Sequence, residues 1–193
     1  MTAVDGARER RIPGALLGMI FFIASELMFF GSLFGAYFTI REATEPWPPA
    51  GTAEISVLRT AFFSAFLIAS SFTIQRAVIL LKKDDIAGML RWLTITIALG
   101  LIFLAGQAWE YSDLIREDFV LSTNQFATLF FTMTGFHGLH VAGGLVAIAV
   151  VYASGRGGRI SAARHGTAEA VSYYWHFVDV VWIFLFMVVY VLQ

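Results

Sequence analysis

Five long apolar stretches alternate with short polar connections along this chain of 193 residues. A helix that crosses a bilayer needs about 20 mainly apolar residues, and each stretch is long enough. We therefore predict an all-α fold, an integral membrane bundle of five transmembrane helices. The predicted helices cover Gly14–Ile40, Val57–Leu81, Met89–Trp109, Phe126–Ala153 and Ala170–Leu192.

The first apolar stretch follows a polar segment, residues 1–13. A cleaved signal peptide has an apolar run of roughly 7–15 residues, and the run from Gly14 to Ile40 is about twice that length. We therefore predict that it is a transmembrane helix of the mature protein. The expected organisation is a cytoplasmic N-terminal segment, 1–13, followed by a five-helix transmembrane domain, 14–193.

Lysine and arginine predict the orientation, because cytoplasmic loops of membrane proteins carry an excess of both. If the N-terminus is inside, only Arg41, Arg59 and Arg116 of the 13 basic residues fall outside, which leaves ten inside. We therefore predict a cytoplasmic N-terminus and an external C-terminus.

Seven acidic residues fall on the predicted outer side. Either they attract a basic electron carrier, or their position is only a by-product of the topology. They are Glu42, Glu45, Glu54, Glu110, Asp113, Glu117 and Asp118.

Composition agrees with a membrane protein and excludes several other classes. Hydrophobic residues make up 58% of the chain and charged residues 14%, against about 25% charged residues in soluble domains. The chain has no cysteine, which excludes disulfides, thiolate metal sites and cysteine nucleophiles. A net charge of −1 gives no support for nucleic-acid binding.

Ionisable side chains inside the predicted helices are the candidate functional residues, because such groups are costly at membrane depth. At about 1.5 Å of rise per residue, Glu26 on the first helix and His137 on the fourth both lie near the middle of the membrane. His140, His176 and Asp179 fall in the inner half, and the outer half has no comparable ionisable group. We therefore expect Glu26 to pair with His137, and His140 to meet His176 and Asp179.

The four residues on the fourth and fifth helices admit two interpretations. They are His137, His140, His176 and Asp179. Histidines and a carboxylate on two helices are a possible ligand set for a metal, and a helix histidine can also be an axial ligand of haem. Alternatively, the same groups pair with one another and hold helices together. Glycines on the fourth helix, which allow close helix approach, favour packing.

Glu26 has three possible interpretations. The first is a member of a proton relay, the second is an anchor for a lipid in a cleft, and the third is a neutral carboxylic acid that donates one hydrogen bond between helices. The sequence leaves these alternatives open.

Two long motifs carry a resemblance to a known family. Residues 135–141 read GFHGLHV and residues 174–182 read YWHFVDVVW, and both resemble signatures of subunit III of the haem-copper cytochrome c oxidases. Three shorter motifs also resemble this family and occur in the same order along the chain. They are Ser25-Glu26 with the following LMFF, the Trp47-Pro48-Pro49 loop, and Gln107-Ala108 with Glu110-Tyr111. The resemblance covers about residues 18–192 and is closest to short, five-helix bacterial forms.

The resemblance implies a non-catalytic subunit of a proton-pumping oxidase, a translocase of aerobic respiration that reduces oxygen to water. Subunit III of this family holds no haem and no copper. It binds subunit I, retains phospholipids and supports proton uptake. Haem and copper belong to partner subunits I and II, and cytochrome c is reached only through the complex. The implied location is the bacterial plasma membrane.

Longer members of the family have seven helices, and this chain begins at the equivalent of the third. We expect the first helix to contact subunit I on the face that carries Glu26, Gly31 and Gly35, since glycines four residues apart allow close approach.

Three other functions remain as alternatives. The closest is the equivalent subunit of a quinol oxidase or an accessory protein of nitric-oxide reductase. A free-standing transporter would need the repeats or broken helices typical of that class, and the sequence has neither. A di-haem or metal enzyme would be built on the buried histidines.

Overall fold

The computed structural model describes residues 14–192, which form five long helices with no strand among them. The part of the chain that is described contains five helices long and apolar enough to cross a membrane. The predicted all-α transmembrane bundle is therefore confirmed. The helices are α1 (Gly14–Glu42), α2 (Val57–Leu81), α3 (Ile86–Arg116), α4 (Gln125–Arg156) and α5 (Gly166–Phe186).

The predicted cytoplasmic segment, residues 1–13, lies outside the described residues. The same is true of three of the basic residues used to predict the orientation, Arg8, Arg10 and Arg11.

Helix ends differ from the predicted ones because an apolar window detects only the lipid-crossing part of a helix. α3 continues past Trp109 to Arg116, and α4 continues to Arg156. The side chain of Asp85 accepts a hydrogen bond from the Gly88 amide at 2.8 Å and so caps the start of α3. Such a cap satisfies a backbone donor that the helix itself leaves free.

The chain after α5 forms a π-helical turn, Met187–Val191. This turn directs the side chain of Tyr190 into the bundle, where it is 1% exposed. π-turns of this kind are rare and are often found at functional sites.

α5 is the central helix and α1 is peripheral. In the most apolar window of each helix, 56% of α5 is buried but only 6% of α1. Two buried tryptophans of α5 donate hydrogen bonds to serines of α2. Trp175 Nε1 lies 2.8 Å from Ser70 Oγ, and Trp182 Nε1 lies 2.7 Å from Ser64 Oγ. A buried indole needs an acceptor, so these pairs fix which face of α5 meets α2.

α1 is attached to the bundle near its C-terminal end by Tyr37. This side chain is fully buried, and its hydroxyl donates to the Val188 carbonyl of the π-helical turn at 3.1 Å. The ring of Trp47, from the loop after α1, packs edge-on against Tyr37 with ring centroids 5.5 Å apart. Most of the other side chains of α1 are exposed, and many of them are apolar.

A pair of adjacent glycines on α4 tests this packing. A methyl group added at Gly144 would lie 2.7 Å from the ring of Trp175, which is fully buried and held by Ser70. At Gly143 the nearest atom would be 4.0 Å away. We expect Gly144→Ala to lower the free energy of unfolding by about 1–3 kcal/mol, as overpacking does.

Gly143→Ala is the matched control, and we expect it to leave stability unchanged or to raise it by up to about 1 kcal/mol through its higher helix propensity. The measurement is denaturant unfolding of the purified chain in detergent. Equal effects of the two substitutions would contradict this packing of α4 on α5.

Candidate functional site

Glu26 pairs with His140, and this contact joins α1 to α4. Glu26 Oε2 lies 2.9 Å from His140 Nε2, and the two side chains are 18% and 17% exposed. His140 Nδ1 lies 2.7 Å from the Phe136 carbonyl. Since a carbonyl only accepts, Nδ1 carries a hydrogen, and the second proton of the pair lies between Nε2 and the carboxyl group.

The expected pairing of Glu26 with His137 is wrong. His137 is fully buried, and neither of its ring nitrogens has a hydrogen-bond partner among the described residues. Its ring stacks on Trp182, with centroids 4.7 Å apart, and lies against the edge of Phe103. His137 therefore faces α3 and α5, whereas His140, three residues later, faces α1.

The expected meeting of His140 with His176 and Asp179 is also wrong. The latter two turn towards α2 and share Ser71. Ser71 Oγ lies 3.0 Å from His176 Nδ1 and also hydrogen-bonds the Asp179 carboxylate. This set lies at the α2–α5 contact, while His140 lies at the α1–α4 contact.

The ligand set considered from the sequence is thus divided among three environments. His137 lies in an aromatic core, His140 beside Glu26, and His176 with Asp179 beside Ser71. Within residues 14–192, no three His, Asp or Glu side chains are grouped closely enough to hold a metal ion.

Gly31 and Gly35 lie on a free side of α1, whereas Glu26 faces α4. The expectation that all three residues share one face is therefore wrong. A methyl group added at either position would meet no atom within 4 Å. Exposed apolar side chains accompany them on this helix, including Leu27, Met28 and Phe38. Two small residues four positions apart permit the close approach of a second helix.

Sequence reasoning missed a buried polar cluster in the half of the bundle that is predicted to be the outer one. Glu110 was assigned to an external loop, but it lies within α3 and is only 3% exposed. Its two carboxyl oxygens lie 2.6 Å from Thr60 Oγ1 and 2.7 Å from the Tyr190 hydroxyl. The expectation that the outer half holds no buried ionisable group is therefore wrong.

A periodic pattern in the sequence could have located Glu110. Phe103, Gln107, Glu110 and Leu114 recur at the spacing of one helix face, and all four are buried. The next acid along, Asp113, is more exposed, at 28%, and makes an ion pair with Arg59 of α2 at 2.5 Å.

Comparison with known proteins agrees with the motifs. The family described as cytochrome c oxidase subunit III matches residues 4–193. Cytochrome c oxidase subunit 3 of Thermostichus vulcanus is 44% identical over 191 residues, which are 98% of this chain and 92% of that protein. The subunit 3 of a Synechocystis species is 44% identical over 178 residues, 92% of this chain and 75% of that protein.

The GFHGLHV and YWHFVDVVW motifs supply the paired and buried residues of α4 and α5 described above, and the family match spans nearly the whole sequence. This multi-pass membrane protein belongs to the cytochrome c oxidase subunit III family.

Proposed function

We propose that this chain is the non-catalytic subunit III of a proton-pumping haem-copper cytochrome c oxidase. It stabilises subunit I and supports proton uptake while the complex reduces oxygen to water in aerobic respiration. The observation that carries the proposal is the hydrogen-bonded Glu26–His140 pair, which lies on a helix whose opposite face is free to meet another subunit. The names of the relatives favour cytochrome c as the electron donor of the complex.

The separation of the polar sets favours a supporting role over a proton channel through the chain. Glu26 and His140 form one set, and Ser71, His176 and Asp179 form another. His137 lies among aromatic rings with no hydrogen-bond partner among residues 14–192. A relay needs continuous hydrogen bonds, so the role proposed for Glu26 with His140 is local and modulating.

The partners proposed are subunits I and II, with cytochrome c reached indirectly through the complex. Subunit I meets α1 on the side of Gly31 and Gly35, and phospholipids cover the remaining exposed apolar surface of this helix. The chain itself holds no redox centre. Haem and copper belong to the partner subunits, where they carry out electron transfer and oxygen chemistry.

The orientation proposed has the N-terminus in the cytoplasm and the C-terminus outside a bacterial plasma membrane, with residues 14–193 as one transmembrane domain. The support is the distribution of basic residues. Lys82 and Lys83 lie at the end of α2, and Arg156 lies at the end of α4, so they fall on one side of the bundle, as the excess of positive charge in cytoplasmic loops requires.

Isolation of the complex tests the proposed function and contact face together. We expect a mild-detergent pull-down of the tagged chain to recover subunits I and II and the absorbance of haem, whereas the chain expressed alone should show no Soret band. Gly31→Leu with Gly35→Leu should reduce recovery of subunit I about tenfold, because a loss of about 1.4 kcal/mol in association has that effect.

Gly143→Ala serves as the control for these glycine substitutions and should leave recovery unchanged. A Soret band in the isolated chain would overturn the assignment of haem to the partners. Full recovery of subunit I by the double variant would show that another face makes the contact.

Substitution of Glu26 tests its role in turnover. Glu26→Gln keeps the shape and one hydrogen bond to His140, and hydrogen bonds between membrane helices average only about 0.6 kcal/mol. We expect intact assembly and an initial rate of oxygen reduction near that of the wild type, with a change in durability over many turnovers. The measurement is oxygen consumption and proton release by the reconstituted complex from the first turnovers onward.

Glu26→Leu, which removes the hydrogen bond altogether, provides the comparison. Unlike Glu26→Gln, it should weaken assembly of the complex. Immediate loss of oxygen reduction in Glu26→Gln, with all subunits still present, would show that the carboxyl group is essential to the chemistry.

A further inference from the structure

Asp179 of α5 is a buried acid whose charge would have no partner. Its side chain is 4% exposed, and one of its carboxyl oxygens, Oδ1, has no hydrogen-bond partner among the described residues. The carboxyl groups that form ion pairs within residues 14–192 are those of Glu26, Asp113 and Glu169. Because a buried carboxylate without a cation is costly, the surroundings of Asp179 favour the neutral acid.

Ser71 bridges Asp179 to His176. Ser71 Oγ lies 3.0 Å from His176 Nδ1 and also within hydrogen-bond distance of Asp179 Oδ2. A serine hydroxyl group has a single hydrogen, so Ser71 can donate to only one of these two neighbours. For both hydrogen bonds to form, the other neighbour must donate to the Ser71 oxygen. The two hydrogen bonds therefore run in the same direction.

The second ring nitrogen of His176 sets this direction. Nε2 lies 3.4 Å from Gln75 Oε1 and 3.4 Å from Ser172 Oγ. Since an amide oxygen only accepts, Nε2 carries a hydrogen. In a neutral imidazole Nδ1 is then the acceptor, so Ser71 donates to His176 and Asp179 donates to Ser71. A neutral His176 thus requires a proton on Asp179.

Exposure decreases along this hydrogen-bonded series. Gln75 is exposed, Ser71 and His176 are partly buried, and Asp179 is buried. Gln75 precedes the end of α2 at Leu81 by six residues, which is about 9 Å at 1.5 Å per residue. The series therefore leads from the surface between α2 and α5, near one end of the bundle, to a buried carboxyl group.

We propose that Asp179 binds a proton inside the bundle and exchanges it with the surface of the chain through Ser71 and His176. In the transfer, Asp179 gives its proton to Ser71 Oγ while Ser71 gives its own hydrogen to His176 Nδ1. The products are an Asp179 carboxylate, an unchanged hydroxyl group and a His176 imidazolium. His176 then releases the Nε2 proton to water, and the reverse sequence reloads Asp179.

Infrared spectroscopy of the complete chain, purified in detergent, tests the bound proton, because a carboxylic acid and a carboxylate absorb at different frequencies. We expect Asp179→Asn to remove a carboxylic-acid band at neutral pH. Asp113→Asn is the matched control. Since Asp113 is ion-paired with Arg59, its substitution should remove carboxylate absorption and leave the acid band. Loss of carboxylate absorption in Asp179→Asn, with the acid bands unchanged, would overturn the proposal.

Isotope-labelled aspartate in the wild-type chain gives the same test without a substitution, so the result does not depend on the folding of Asp179→Asn. The other aspartates of residues 14–192 are exposed or ion-paired and should absorb as carboxylates. They are Asp84, Asp85, Asp113 and Asp118. We expect labelling to shift a carboxylic-acid band. An acid region that labelling leaves unchanged would show that Asp179 holds no proton.

Variants of Ser71 test the exchange route. Ser71→Ala removes the bridging hydroxyl group, whereas Ser71→Thr keeps one and is the control. Positioned acid–base groups accelerate proton transfer by about 100-fold or more. We therefore expect deuterium uptake at the Asp179 acid band to slow at least about tenfold in Ser71→Ala and to stay near the wild-type rate in Ser71→Thr. Equal rates in all three proteins would overturn the route through Ser71.

Discussion

The structure depends on one constraint: hydrocarbon offers no hydrogen-bond partners, so burying a polar side chain inside the membrane is costly unless another group of the protein pairs with it. Three polar sets meet this requirement, and each joins a different combination of helices. Glu26 with His140 joins α1 to α4, and Ser71 with His176 and Asp179 joins α2 to α5. The third set joins α2, α3 and the C-terminal turn through Thr60, Glu110 and Tyr190. Association of apolar helices in lipid is weakly directional, so these contacts determine which faces meet.

α1 shows what the constraint does for a helix with little buried surface. Tyr37 attaches it to the π-helical turn near one end, and the Glu26–His140 pair attaches it to α4 nearer the middle. Two polar contacts at different depths fix the rotation of α1 about its axis. That rotation leaves Gly31 and Gly35 on the outside, where a partner helix can approach closely. The same side chains therefore hold α1 in place and orient its free face.

The helices and the family were predictable from the sequence, because each depends on information along the chain. Apolar length alone identified all five spanning helices, and the motifs around His137 and His176 identified the family. The pairing of side chains depended on a quantity the sequence did not supply, the rotation of each helix about its axis. Depth placed Glu26 level with His137, but at about 100° per residue the three-residue step to His140 turns a side chain by roughly 60° towards a different neighbour. Glu110 was missed because a charged residue ended the apolar window, although the helix continued.

The most direct test of this account is a pair of double-mutant cycles on the stability of the purified chain, one for Glu26 with His140 and one for Glu26 with His137, each residue changed to alanine. Coupling energies between polar groups of membrane helices average about 0.6 kcal/mol and reach about 1.7 kcal/mol. The account predicts a coupling of about 1 kcal/mol within that range for Glu26 with His140. For Glu26 with His137 it predicts additivity within about 0.3–0.5 kcal/mol, as for residues that share no contact. Additivity for His140 together with coupling for His137 would contradict it.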